Sequence, residues 1–168
     1  MNKNIVLIGM PGSGKSTIGY RLSKILDVNF VDVDNYIEKK EKNTISGLFE
    51  NGEKYFRNIE SKCIEEISIL NNTIIATGGG AVTNKANMVL LKQNSIIIYI
   101  NRDIKTIMCS IDDSTRPLLK NKKEKLYALY IEREPLYKKY GDFEVKNDKD
   151  IQSTINQILE IIKEEEII

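Results

Sequence analysis

The sequence predicts an α/β protein, a parallel sheet covered on both faces by helices. Three observations carry this. The strand-like runs NIVLIG (4–9), TIIAT (73–77) and SIIIYI (95–100) are apolar without alternation, as strands buried on both sides are. The segments between them repeat their apolar residues at helical spacing. The two kinds of segment alternate along the chain, as crossover units do and hairpins do not.

Each element follows from its own residues. NIVLIG is the first strand. From Lys15 to about Leu26, Ile18, Leu22, Ile25 and Leu26 recur on one helical face. VNFVDVD (28–34) reads as the second strand. It ends in Asp32 and Asp34, two carboxylates whose period-two spacing puts both on one side of a strand end. Asp is also common where strands run into loops. Helical patterns follow over roughly 34–41 and 44–70, with a break at ENGE, where Gly52 sits. TIIAT is the third strand, ended by Gly78, Gly79 and Gly80. A helix over about 84–92 leads into SIIIYI, the fourth strand, and residues 103–111 read as helical. DDSTRPLLKNKKEK (112–125) is polar and contains Pro117, so it reads as a loop. Its 112–122 portion is the long uncovered segment in which a mobile lid is expected. A helix over about 123–138, disturbed by Pro135, precedes a short strand, FEV (143–145), and a final amphipathic helix over 151–165.

The 168 residues suit one domain over 1–168, with no repeat and no linker. At 41% apolar and 29% charged, the composition is that of an ordinary soluble protein. The 25 basic and 24 acidic residues give a net charge of +1, without the basic surplus that nucleic-acid binding asks for. No apolar run approaches the roughly 20 residues that span a membrane. The opening MNKNIVLIGM runs straight from a strand into a motif rather than into a cleavage region, which points to a cytoplasmic chain. Cys63 and Cys109 lack the spacing of metal ligands, and Cys63 reads as a small buried hydrophobe. There is no histidine, so Ser-His-Asp chemistry and His-ligated metals are excluded. Acid–base work falls to Asp, Glu, Lys or Tyr.

GMPGSGKST (9–17) fits G-x-x-x-x-G-K-[ST] through Gly9, Gly14, Lys15 and Ser16, between a strand and a helix. The loop residues Gly12, Ser13, Gly14, Lys15, Ser16 and Thr17 are the candidate phosphate cradle, at a helix end that favours negative charge. Lys15 is expected to reach the outer phosphates and the Ser16 hydroxyl to bind Mg²⁺. The motif names a nucleotide but no acceptor. A guanine-reading N-K-x-D is absent, and small chains with this loop are commonly small-molecule kinases.

The acceptor side is less specific. Gly78, Gly79 and Gly80 form either an anion-binding nest of backbone amides or a flexible turn. Arg57 in YFRNIE and Arg133 in IEREPLY are either surface charges or the planar forks that hold a carboxylate. Phe49 and Phe56 line an apolar wall or pack in the core. Glu60, one turn after Arg57, is placed to brace it. Arg116, in the lid segment, can neutralise a phosphoryl group in transit.

Taken together, GMPGSGKST, DVD (32–34), FRNIE (56–60), GGGAV (78–82), RPLL (116–119) and REPLY (133–137) resemble the shikimate kinase family, in order and spacing, over essentially the whole chain. The resemblance implies a three-layer α/β/α P-loop kinase fold with a five-stranded parallel sheet of order 2-3-1-4-5. It also implies a substrate-binding helical region at about 33–61 and a lid at about 112–122. It implies a monomer that phosphorylates the 3-hydroxyl of shikimate with MgATP, so that ATP and shikimate are the partners and Mg²⁺ the cofactor. Under it Lys15, Asp34 and Arg116 are catalytic, with Asp34 the candidate general base. Ser16 and Asp32 hold the metal, Asp32 through water. Asp34 meets the substrate hydroxyls, Arg57, Arg133 and the Gly79 and Gly80 amides take the carboxylate, and Gly78 also belongs to the substrate site. The chain departs from the family at Cys109, where many members have an arginine stacked on adenine, and in NDKDIQST (147–154), which lacks the usual proline. A looser preference for ATP over GTP is expected. A gluconate-kinase-like enzyme would share the phosphate loop and lid arginine without needing a carboxylate clamp. A silent nucleotide-binding module would not need Asp32, Asp34 and Arg116.

Overall fold

The computed structural model describes residues 3–110 and 116–167, with the backbone alone for 116–121. Five strands, β1 (Asn4–Ile8), β2 (Asn29–Asp32), β3 (Thr73–Ala76), β4 (Ser95–Asn101) and β5 (Phe143–Lys146), form one sheet. Its order is β2-β3-β1-β4-β5 and every pairing is parallel. The helices are α1 (Lys15–Leu26), α2 (Val33–Glu41), α3 (Ile45–Phe49), α4 (Glu53–Ser68), α5 (Lys85–Gln93), α6 (Ile104–Cys109), α7 (Arg116–Tyr140) and α8 (Ile151–Glu164).

The unalternating apolar strands have the cause the sequence suggested. β1 is buried along its whole length, and its residues divide between two cores. Ile5 and Leu7 join Ile18 and Leu22 of α1 and Ile155, Ile158 and Ile162 of α8. Val6 and Ile8 join Ile37 of α2, Phe56 and Ile64 of α4, Met88 of α5 and Tyr137 of α7. Successive side chains of a strand point to opposite faces, so both faces need apolar residues and the period-two pattern vanishes. The result is three layers, α/β/α.

Two local expectations change. VNFVDVD does not stay extended to Asp34: β2 ends at Asp32, and Val33 and Asp34 belong to the first turn of α2. Asp32 is the helix cap, its carboxylate accepting from the Asn35 amide at 3.1 Å. The paired carboxylates therefore lie across a strand-to-helix junction, not along one strand. Likewise the expected loop over 112–125 is helical from Arg116 onward. Pro117 falls in the first turn, where its missing N–H leaves no bond unmade. Residues 112–115 of the expected lid, and the Arg116 side chain, lie outside the described residues. Pro135 sits inside α7, which continues past it to Tyr140. The break at Gly52 is as expected: that residue takes φ 98° between α3 and α4.

The loops after all five strands open on one edge of the sheet. The phosphate loop follows β1, Asp32 ends β2, the glycine triplet follows β3, Arg102 follows β4 and Asn147 follows β5. The carboxyl edge of a parallel sheet is where ligands of such folds bind.

Candidate active site

The phosphate loop is built by its backbone. Gly12 and Gly14 take φ 78° and 97°, a region that side chains strain to enter. The Ser13 amide closes the loop on the Met10 carbonyl at 3.1 Å. The amides of Gly14, Lys15, Ser16 and Thr17 find no acceptor among the described residues, as the first turn of a helix dictates. They make a cradle for an anion. Lys15 is turned back onto the loop, donating to the Gly9 carbonyl at 2.9 Å and the Met10 carbonyl at 2.8 Å. Burial lowers its pKa to about 8, with Asp34 and then Asp32 opposing the shift.

Ser16 and Asp32 meet at the rim. The Ser16 hydroxyl donates to Asp32 Oδ2 at 2.5 Å. This pair of hard oxygen donors beside a phosphate cradle suits Mg²⁺, which takes one or two protein oxygens and completes its shell with phosphate and water. Among the described residues no cluster of three or more His, Cys, Asp or Glu side chains offers an all-protein metal cage. The donor set therefore fits an ion that arrives with a nucleotide.

Next to the loop lies a cavity of about 350 Å³, and it gathers the sequence candidates for the acceptor. Asp34, Arg57, Gly78, Gly79, Gly80 and Arg133 all line it. Arg57 is aimed by two carboxylates: Nη1 donates to Glu60 Oε2 at 2.8 Å, and Nη2 to Glu53 Oε1 at 3.3 Å. Glu60 thus braces Arg57 as its one-turn spacing suggested. Phe49 and Phe56 stack at 4.3 Å and stand under the Arg57 guanidinium, at 5.8 and 5.2 Å from its carbon. They are wall and packing at once. Arg133 is only 7% exposed, and its Nε has no partner among the described residues. The Glu60 Oε1 oxygen is also buried without a partner among the described residues. Buried polar atoms are normally satisfied, and these two, unlike the similarly unpaired Asn87, belong to residues that line the cavity, where a ligand can reach them.

Each glycine leaves room that a Cβ would fill. A Cβ on Gly78 would lie 2.8 Å from Asp34 Oδ1, and one on Gly79 would lie 2.6 Å from Pro11 Cδ. One on Gly80 would overlap the Arg57 guanidinium. The amides of Gly79 and Gly80 have no acceptor among the described residues, which favours the nest over the idle turn. Asp34 is drawn into this site, where burial and then Asp32 raise its pKa, with Lys15 opposing. Burial likewise raises Glu60, against the pull of Arg57.

Two side chains escaped the sequence reading. Tyr137 is fully buried, stacks on Tyr99 at 5.2 Å, and donates from its hydroxyl to the Gly79 carbonyl at 2.6 Å. Its signal was its position four residues after Arg133, one turn along the same helix face. Arg102 donates to the Gly12 carbonyl at 3.0 Å from the loop after β4. Nothing in its sequence surroundings marks it. Cys109 ends α6 and is exposed.

The comparisons with known proteins agree with this geometry. Residues 11–163 match the family model described as shikimate kinase. A shikimate kinase of Clostridium beijerinckii is 46% identical over 162 residues, 96% of this chain and 96% of that protein. One from Clostridium botulinum is 49% identical, covering 96% and 98%. The solved shikimate kinase of Acinetobacter baumannii in complex with shikimate superposes with a TM-score of 0.89 at 33% identity, over 97% of this chain and 94% of that one.

Proposed function

The chain belongs to the shikimate kinase family, and from that premise we propose how its residues perform the family's reaction, transfer of the γ-phosphoryl group of ATP to the 3-hydroxyl of shikimate to give shikimate 3-phosphate and ADP. One observation carries the reading: the phosphate cradle opens beside a cavity in which Arg57, Arg133 and three glycines converge. A carboxylate suits that convergence, since two guanidinium forks and a pair of free amides are complementary to its oxygens.

The residue roles follow. The amides from Gly12 to Thr17 bind the ATP phosphates, with Lys15 swinging from the Gly9 and Met10 carbonyls to the outer phosphates. Arg57, Arg133 and the Gly78–Gly80 backbone hold the shikimate carboxylate, and the Phe49–Phe56 wall faces its ring. This turns a hydroxyl toward Asp34, which lies between the cavity and Lys15. Asp34 accepts a hydrogen bond from the hydroxyl and takes its proton as the new P–O bond forms. Much of its effect is positioning, because a loose phosphoryl-transfer transition state asks little of a base. Arg116 meets the transferring group. Ser16 and Asp32 would hold Mg²⁺, Asp32 through water, and the ion neutralises charge on the phosphates when bound. The lid is assigned to about 112–122 and the substrate-binding region to about 33–61. No described helix is long and apolar enough to cross a membrane.

A coupled ADP-release assay with MgATP tests this, run with shikimate, with gluconate and without acceptor. Strong stimulation by shikimate alone is expected. Stimulation by gluconate, or by neither compound, would overturn the acceptor assignment and leave only the phosphate loop standing.

A further inference from the structure

The loop after β5 contributes a buried amide that nothing in the reaction so far uses. Asn147 is 5% exposed. Its backbone amide donates to the Asn101 carbonyl at 2.8 Å, which fixes its Cα beside the end of β4. Its side-chain Nδ2 donates to the Ser13 carbonyl, inside the phosphate loop, at 2.8 Å. Its Oδ1 accepts from the Thr154 hydroxyl at 3.0 Å, and Thr154 is itself buried in α8. The side chain fits so closely that a Cβ on Gly14 would lie 2.8 Å from Nδ2.

A trans peptide is planar, so its carbonyl and its N–H point opposite ways. The peptide joining Ser13 to Gly14 has its carbonyl held by Asn147, toward α8. The Gly14 N–H must then point away from α8, into the concave side of the loop. The Ser13 carbonyl can only accept, so it demands the Nδ2 end of the amide. That leaves Oδ1 to the hydroxyl of Thr154.

We propose that Asn147, backed by Thr154, is a positioning residue for the nucleotide: the relay from Thr154 through Asn147 to the Ser13 carbonyl locks the Ser13–Gly14 peptide so that the Gly14 amide meets a phosphate of the bound nucleoside di- or triphosphate. This rests on the phosphate-loop reading given above. Freed of Asn147, the peptide can rotate, since Gly14 accepts either sign of φ. The cradle would then have to be ordered by the ligand, with a loss of affinity.

Calorimetric titration of the full chain with MgADP, and separately with shikimate, tests the relay. Asn147→Leu should weaken MgADP about tenfold, the scale of one buried hydrogen bond, and leave shikimate within about twofold. Thr154→Val should weaken MgADP about threefold, and Thr154→Ser, which keeps the hydroxyl, should restore it. Unchanged MgADP affinity in Asn147→Leu and Thr154→Val overturns the proposal, and so does equal weakening of both ligands, which would assign Asn147 to upkeep of the fold. Should Asn147→Leu fail to fold, the Thr154 pair decides by the same criteria. An unsubstituted chain that binds no MgADP would overturn the phosphate-loop reading together with this one.

Discussion

At the scale of single residues, the site sets charge against burial. Asp34 is the clearest case. Its pKa is higher in the fold than in the unfolded chain, first through burial and then through Asp32. An acid shifted upward is held in the fold at a cost once it ionises, and that cost is complete above its folded pKa. Asp34→Asn removes the charge. The variant should melt higher than the parent at neutral pH, with the difference vanishing below the ordinary carboxylate range. Turnover should fall by more than about tenfold while nucleotide binding survives. Thermal unfolding beside steady-state kinetics checks both, and an unchanged turnover number would remove Asp34 from the mechanism. Lys15 is shifted the other way, to about 8. In its proposed role it binds phosphate as a cation, so kcat/KM for ATP should fall as pH rises through about 8. A profile flat well into the alkaline range would contradict this. Arg133→Lys keeps the charge but loses the fork. It should raise KM for shikimate about tenfold or more and leave ATP binding near normal.

At the scale of elements, α7 matters most. It carries Arg133 into the cavity and, one turn on, Tyr137 onto the Gly79 carbonyl. That bond turns the Gly80 amide the opposite way, because the two ends of a peptide diverge. Tyr137→Phe should therefore raise KM for shikimate about fivefold, with KM for ATP nearly unchanged. Equal effects on both substrates would make Tyr137 a general packing residue. The order of elements was legible because buried strands and amphipathic helices differ in period. Their junctions were less so. Asp34 was read as strand because Val31 and Val33 alternate with the two aspartates, but the Asp32 cap starts a helix one residue later. The start of α7 was hidden by a polar, lysine-rich turn and by Pro117, which reads as a loop signal although a helix accepts it in its first turn. Candidate residues on motifs were legible individually: Lys15 and Ser16 open the helix after the glycine loop, and Arg57 and Arg133 line one cavity. Tyr137, Arg102 and Asn147 were not. Each acts on a backbone carbonyl distant in sequence, and although its spacing from Arg133 places Tyr137 on the cavity face, no local pattern names the carbonyl that any of them meets.

At the scale of the whole molecule, the sheet divides the work. The acceptor residues of α2, α4 and α7 rest on the core containing Val6 and Ile8, while α1 and α8 rest on the core containing Ile5 and Leu7. Ile64 and Ile158 are both fully buried, one in each core. Replacing either with Ala should cost about 2–5 kcal/mol, and the double variant should show the sum to within about 0.5 kcal/mol, because the sheet keeps the two cavities apart. Denaturant unfolding of the three variants measures this. A larger discrepancy would mean that the two faces relax together. The acceptor cavity has one more consequence, for the end of the catalytic cycle. Its walls carry the carboxylates of Asp34, Glu53 and Glu60 against the guanidiniums of Arg57 and Arg133. The two guanidiniums offer partners to a single carboxylate, while the three acids leave the walls no surplus of positive charge. Phosphorylation adds about 1.5 to 2 negative charges to the same molecule, on the side that the proposed pose turns toward Asp34. Under the proposed roles, like charges then crowd the product, and the carboxylates proposed to position the acceptor also help to expel what it becomes.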